Sequence, residues 1–389
     1  MSQRDRCTLL RVLFAVAMAA GAQGCAELTT LASAASNLET EPKVAMPVDD
    51  PATPARAASG KEAQRTVVPI PLSDPTIGSG LAVLGMHFHP QSADEAAAQP
   101  PSLTAAFAMA TDNGSAVAGV AHMHYWDSDQ WRFSGVAGYA HLNLDFFGGG
   151  GPASSQDNSA RWTVDGTFVQ PQLYRRIAPN WYLGAQLRYA SVRQSFGFIP
   201  PDAQKATGPL DVTSTGAGAL LQRDTRDNKF NPYEGSLLDF NAMFIRSGLG
   251  GDVSYNALDV RYRKYLSLRP DLVLATDLHG CARTGDVPLF DDCFLQLRGF
   301  PATRYIGRYM ALAQAELRWR VIGPLGLVAF AGTGLVANRF GDLGVGGAPV
   351  GFGIGFRYMV LEAERINLRV DLAQGGGSRV VYVSVTEAF

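Results

Sequence analysis

The chain has 389 residues, 47% of them hydrophobic, with 42 glycines and a formal net charge of −2 from 33 basic and 35 acidic side chains. Near-neutral charge argues against a nucleic-acid partner. No run of about 18 or more uninterrupted apolar residues exists beyond the N-terminus, which excludes a helical membrane protein.

Residues 1–25 read as an export signal, with Arg4, Arg6 and Arg11 ahead of the apolar run Val12 to Ala20 and small residues after it. Two cleavage points compete: after Ala22, from the small-x-small Ala20-Gly21-Ala22, or before Cys25, as in bacterial lipoproteins. Gly24 suits the second, whereas Ala22 and Gln23 match it poorly, and an acyl anchor on Cys25 would be redundant for a chain that spans the membrane. Residues 26–64 are rich in Ala, Pro, Glu and Ser and contain no aromatic residue, so they read as a disordered periplasmic linker too short and polar to hold a core.

From residue 65 onward the chain alternates in the manner of strands. Fifteen segments stand out: 78–89, 102–111, 114–126, 129–146, 161–176, 179–197, 212–224, 235–247, 252–268, 271–283, 308–321, 325–337, 349–360, 365–374 and 378–389. The clearest places Ala313, Ala315, Leu317, Trp319 and Val321 on one face and Gln314, Glu316, Arg318 and Arg320 on the other. Ile366, Leu368, Val370 and Leu372 alternate in the same way with Arg365, Asn367, Arg369 and Asp371. A soluble barrel or sandwich would show this pattern too. A membrane barrel explains it directly, because charge on a lipid face costs roughly 2 to 4 kcal/mol at the bilayer midplane.

The expected fold is therefore all-β, a single transmembrane antiparallel β-barrel over residues 65–389. Bacterial barrels have even strand numbers with both termini in the periplasm. Thr66 to Leu72 supplies a sixteenth strand, which Pro69 and Pro71 restrict to an edge or rim, and fourteen strands is the alternative. The segment 90–101 resists this tracing, since it falls on the periplasmic side, where turns are usually short.

Few residues point to chemistry. His87 with His89, and His122 with His124, share faces at metal-ligand spacing, but no Cys or carboxylate cluster stands near them in the sequence. Their expected place is the lumen or a rim, with no metal and no cofactor. Serines and histidines occur without a recognisable hydrolase motif, so no enzymatic activity is expected. Asp224, Arg226 and Asp227, with Pro232 and Gly235, suit a hydrogen-bonded periplasmic turn rather than a catalytic site. Cys7 leaves with the signal, so Cys281 and Cys293 either close one disulfide in an oxidising compartment or remain two thiols. At the end of the chain Val381, Val383 and Val385 are expected to face lipid, and Phe389 is expected to act as an assembly signal or an interfacial anchor.

Several motifs converge on one family. Arg223-Asp224-Thr225-Arg226-Asp227-Asn228, followed by Asn231-Pro232-Tyr233-Glu234-Gly235, resembles the D-T-R-D-N…P-x-x-G turn of the bacterial surface antigen family, the barrel of BamA/TamA-type assembly proteins. Gly285-Asp286-Val287-Pro288, Leu297-Arg298-Gly299-Phe300 and Gln314-Ala315-Glu316-Leu317-Arg318 are similar to its sixth extracellular loop and the strand that follows. Gly353-Ile354-Gly355-Phe356-Arg357, Leu368-Arg369-Val370-Asp371 and Phe389 complete the pattern over roughly residues 65–389.

The chain departs from the family twice. Only the polar linker stands where receptor domains would precede the barrel, and Phe330-Ala331-Gly332-Thr333-Gly334 lacks the acidic residue of F-x-D-x-G. The resemblance implies that the loop folds into the lumen and that its Arg298, with Gly299 and Phe300, pairs with acidic groups on the wall; alternation puts Glu316 and Asp371 on that face, and one or both are expected to receive the guanidinium. It also implies protein insertion, protein translocation or lipid transfer at the outer membrane of a Gram-negative bacterium. Outer-membrane lipid and lipopolysaccharide, and the barrel-assembly machinery during biogenesis, are the implied partners. A passive or gated pore, or a structural barrel, is the alternative.

Overall fold

Alternating polarity forces the chain into extended segments, because a helix would scatter the same residues around its whole circumference. The structure, a computed structural model, describes residues 63–147, 159–197, 210–344, 347–362 and 365–389. The export signal, Cys25 and nearly all of the expected linker lie outside the described residues. The first elements are β1 (Gln64–Asp74), β2 (Gly78–Phe88), α1 (Ala93–Ala98), β3 (Leu103–Thr111), β4 (Ala116–Trp126), β5 (Trp131–Phe146), β6 (Ala160–Ala178) and β7 (Trp181–Phe196). They are followed by β8 (Asp211–Asp224), β9 (Gly235–Ile245), β10 (Tyr255–Arg269), β11 (Leu272–Gly285), β12 (Cys293–Phe294) and β13 (Ile306–Gly307). The chain closes with β14 (Tyr309–Ile322), β15 (Leu325–Ala337), β16 (Val350–Leu361), β17 (Ile366–Gly375) and β18 (Ser378–Val385).

All of these strands except β12 and β13 form one closed antiparallel barrel, with sixteen strands as expected. Thr66 to Leu72 is part of β1, which pairs with β2 along its whole length, from Gln64 opposite Phe88 to Asp74 opposite Gly78. Its other flank meets β18 at a single paired position, Ser73 opposite Val383. Antiparallel register then sets Pro71 opposite Val385, where β18 ends, so the preceding part of β1 has no strand on that flank. Pro69 and Pro71 are tolerated there because a half-open strand can spare their missing N–H donors.

The two rims differ. On one, Pro179-Asn180, Pro270-Asp271 and Gly323-Pro324 close tight hairpins, with Asn180 and Gly323 in left-handed conformation. The other carries the longer connections, among them 246–254, 286–308 and 338–349. Segment 90–101 lies on the turn rim and is long there because it contains α1. Ser92 Oγ accepts from Glu95 N–H at 3.3 Å and Ser92 N–H donates to Glu95 Oε2 at 2.8 Å, a reciprocal cap that starts the helix.

Outer-facing side chains form an apolar belt, with Leu187 at 58% and Ile354 at 64% exposure. The inner wall is of two kinds. Along β7 to β17 it is polar and charged, with Gln186, Arg188, Asp259, Asp277, Glu316 and Arg357 buried. Along β1 to β6 it is apolar, from Ile70, Leu84 and Met86 to Leu142, Leu144 and Trp162. Alternation does not reveal this, since both faces of the early strands are apolar. Buried Met86 and Phe88 turn His87 and His89 outward, and buried Met123 and Tyr125 do the same for His122 and His124. The four rings stand at the turn rim beside stacked Trp126 and Trp131, and the hydroxyls of Ser102 and Thr104 hold three of them.

Candidate functional site

Segment 286–308 drops from the loop rim into the lumen. A disulfide between Cys281 of β11 and Cys293 of β12 fixes its descent, and the short β12–β13 ladder stiffens it. Asp291 makes a second fastening, taking Arg188 Nη1 at 3.0 Å and the Tyr255 hydroxyl at 2.5 Å on one oxygen, while Arg283 Nε donates to its backbone carbonyl at 2.8 Å. Leu295 and Leu297 bury their side chains and carry the chain to its deepest point.

At that point Arg298 Nη1 donates to Asp371 Oδ2 at 3.0 Å. Nη2 lies 2.6 Å from Glu316 Oε1, an ion pair whose angle is not that of a hydrogen bond. The guanidinium carbon lies over the Phe330 ring, 3.6 Å from its centroid. Gly299 follows with φ of 103°, where a Cβ would stand 2.8 Å from the Gln374 carbonyl carbon, so only glycine fits. Its N–H donates to the Tyr382 hydroxyl at 3.0 Å, and Phe300 is buried against Tyr305. Arg298, Gly299, Phe300, Glu316 and Asp371 thus meet in one place.

Sequence reasoning missed part of the network. Arg357 Nη1 donates to Asp371 Oδ1 at 2.5 Å and its Nε to Glu387 Oε2 at 2.7 Å, while Arg318 Nε donates to Glu316 Oε2 at 2.9 Å. Alternation marks Arg318 and Arg357 as inward. Glu387 carried no signal, because it lies beyond β18, after a turn at Thr386 with φ of 70°. That turn sends the last residues into the lumen. Phe389 is buried beside Tyr265 and Ala275, and its carbonyl accepts from Arg318 Nη2 at 2.6 Å. The expected interfacial anchor is therefore corrected: the Phe389 ring sits among arginines inside the barrel. Val385 is likewise buried rather than lipid-facing, as is Ile366, both packed at the turn rim.

The β8–β9 connection covers the other mouth. Asp224 takes both Nε and Nη2 of Arg226 at 2.9 Å, and Asp227 Oδ1 accepts from Tyr233 N–H at 2.9 Å and Glu234 N–H at 3.1 Å. Pro232 is buried, and Gly235, at φ of 98°, closes the turn where a Cβ would meet the Thr225 carbonyl oxygen. Arg365, in the β16–β17 turn, binds the other oxygen of Asp227 and lies 4.1 Å from the centroid of Tyr233. Four strands separate β9 from β16, so the segment spans the mouth instead of staying with its own hairpin. Burial works against the Asp227 charge, but Arg365 and the two N–H donors outweigh it and hold its carboxyl below the usual range.

A barrel with an inward loop on a lumenal ion network has a match among protein families: the Omp85 superfamily domain covers residues 118–360. The chain belongs to the Omp85 superfamily. It is thus an outer-membrane β-barrel protein. In fold this Omp85 barrel is similar to BamA from Haemophilus ducreyi lacking POTRA domains 1–3, with a TM-score of 0.58, 13% identity, and coverage of 84% of this chain and 70% of that one. It is also similar to CdiB from Escherichia coli, with a TM-score of 0.56, 9% identity, and coverage of 86% and 63%. CdiB from Acinetobacter baumannii gives a TM-score of 0.52 at 13% identity, with coverage of 83% and 59%. Identities this low speak for the fold alone, and the chain spans about three fifths of the CdiB chains. A sequence search of the curated proteins finds no match. Leu297-Arg298-Gly299-Phe300 falls within the matched residues, whereas Asp371 and the tail with Glu387 and Phe389 lie beyond them.

Proposed function

We propose that this Omp85 barrel aids insertion or translocation of protein, or transfer of lipid, at the outer membrane of a Gram-negative bacterium, without enzymatic chemistry. The observation that carries this reading is the β1–β18 seam, with one paired position while β1 and β2 pair along their full length. The unpaired stretch of β1 is an open edge that an incoming strand can extend. The lock of Arg298, Gly299 and Phe300 on Glu316 and Asp371, and the 225–234 segment, keep the lumen filled while the seam opens sideways. Outer-membrane lipid and lipopolysaccharide face the apolar belt, and the barrel-assembly machinery is the partner in biogenesis. A pore has less support, because both mouths are occupied by the chain itself.

A seam-locked variant tests this. Ser73→Cys with Val383→Cys places two thiols at the paired position. Liposomes carrying the parent are expected to speed the folding of a urea-unfolded eight-stranded barrel over protein-free liposomes. The oxidised double variant should lose that gain and recover it on reduction by a reagent that leaves Cys281–Cys293 intact. Equal folding rates with and without the parent would remove the insertion reading.

A further inference from the structure

Under the inward loop and beside the seam lies a cavity of about 250 Å³, roofed by Leu297, Arg298 and Phe300 of the lock. Its sides are chemically unlike. Leu72, Leu142 and Leu144 form one, continuous with the apolar inner wall of β1 to β6. Arg261, Gln314 and Arg369 form the other, Ser73 and Val383 border it at the seam itself, and the one carboxylate in the lining, Asp74 at the end of β1, accepts from Thr76 N–H at 2.7 Å. Water alone suits the first side poorly, and a hydrocarbon alone suits the second poorly.

The second side has an anion-seeking group. Arg298, Arg318, Arg357 and Arg369 share the side-chain carboxylates of Glu316, Asp371 and Glu387. Among the described residues Arg369 has the poorest share: its Nε stands 3.6 Å from Asp371 Oδ2 and has no hydrogen-bond partner there, and the side chain is only 12% exposed. A guanidinium so placed gains a charge-assisted bond from any carboxylate or phosphate oxygen brought beside it. The volume is near the lower end of small-ligand sites, about 300 to 1,000 Å³, and far below that of a folded protein cargo.

We propose that this cavity binds an acyl-chain amphiphile with an anionic head, the chain along Leu72, Leu142 and Leu144 and the head on Arg369, entering from the membrane through the seam. The proposal deepens the lipid-transfer branch of the function above. Its assay contains no client protein, so its failure leaves the seam-dependent folding result untouched.

The test uses the refolded full-length protein in phosphatidylcholine liposomes with a trace of fatty acid carrying a diazirine near its methyl end. After illumination, labelled residues are located by peptide mass spectrometry. Label is expected on inward Leu142 and Leu144, falling about tenfold in Arg369→Gln, the size of one charge-assisted bond. Leu144→Trp fills the apolar side and should lower it as well. The parent alone also decides the matter, since the alcohol analogue of the probe should label these residues far less than the acid. Unlabelled fatty acid and monoacyl phosphate are then compared as competitors, and the stronger identifies the head as carboxylate or phosphate. Label confined to outward residues such as Val120 and Leu187, equal labelling by acid and alcohol, or competition by neither anion would overturn the proposal.

Discussion

Arg298 is the single side chain on which the loop's deepest contact depends. Its planar fork reaches Glu316 and Asp371 together while its face covers Phe330, a combination open to a guanidinium and closed to an ammonium. Both carboxylates are fully buried, and removing the cation leaves one oxygen of each without its arginine, Arg318 and Arg357 holding only the other. Arg298→Ala is expected to cost about 3 to 5 kcal/mol and Arg298→Lys less. The folded form should therefore unfold at lower temperature on gels of unheated and heated samples, in the order parent, Lys, Ala. Equal midpoints for all three would remove the lock. Glu316 and Asp371 could be read from the alternation of β14 and β17. Glu387 and Phe389 could not, because a left-handed turn at Thr386 redirects them after the strand pattern has ended.

The inward loop, as an element, has a built-in response to acid. Burial pushes the Asp292 carboxyl up to about 7, against the opposing pull of Arg308, whose Nε lies 3.2 Å from it. Between the ordinary carboxylate range and about 7 the folded loop therefore holds a proton that the released loop gives up. Loop stability is present in full below that range and falls as pH rises through it. Protease cleavage within 286–308 should accordingly be slower at acid pH than above neutrality, and Asp292→Asn should flatten the dependence. A profile unchanged by that substitution would mean another group sets it. Most strand bounds were legible within a residue or two, because each needs only a two-residue period, but β10 starts three residues later than expected and β18 ends four residues earlier, where the chain turns inward. What the loop and the 225–234 segment pack against was not, since Arg188, Tyr255 and Arg365 approach from strands and turns distant in the chain.

At the scale of the whole molecule, segment 286–308 enters one mouth, segment 225–234 reaches across the other, and the described inner wall is divided into an apolar and a charged half. Diffusion through such a barrel needs the loop to leave. In a planar bilayer the parent is expected to stay closed, and Arg298→Ala to show openings, since the loop then keeps the Asp291 fastening and the disulfide but loses its deepest hold. A large steady conductance in both proteins would favour the pore reading.

Legible in the sequence alone were the long barrel strands and the inward faces of β14 and β17, because the pleat converts local alternation directly into sides. The sixteenth strand, Thr66 to Leu72, came instead from the rule that bacterial barrels have even strand numbers. Tertiary structure alone decided that the early strands turn His87, His89, His122 and His124 outward and build an apolar inner wall. It also decided that the chain's last residues enter the lumen and that β1 meets β18 at one position. The reason is physical: a strand apolar on both faces, a tail beyond its strand and a seam between the two ends of the barrel acquire their surroundings only when the sheet closes.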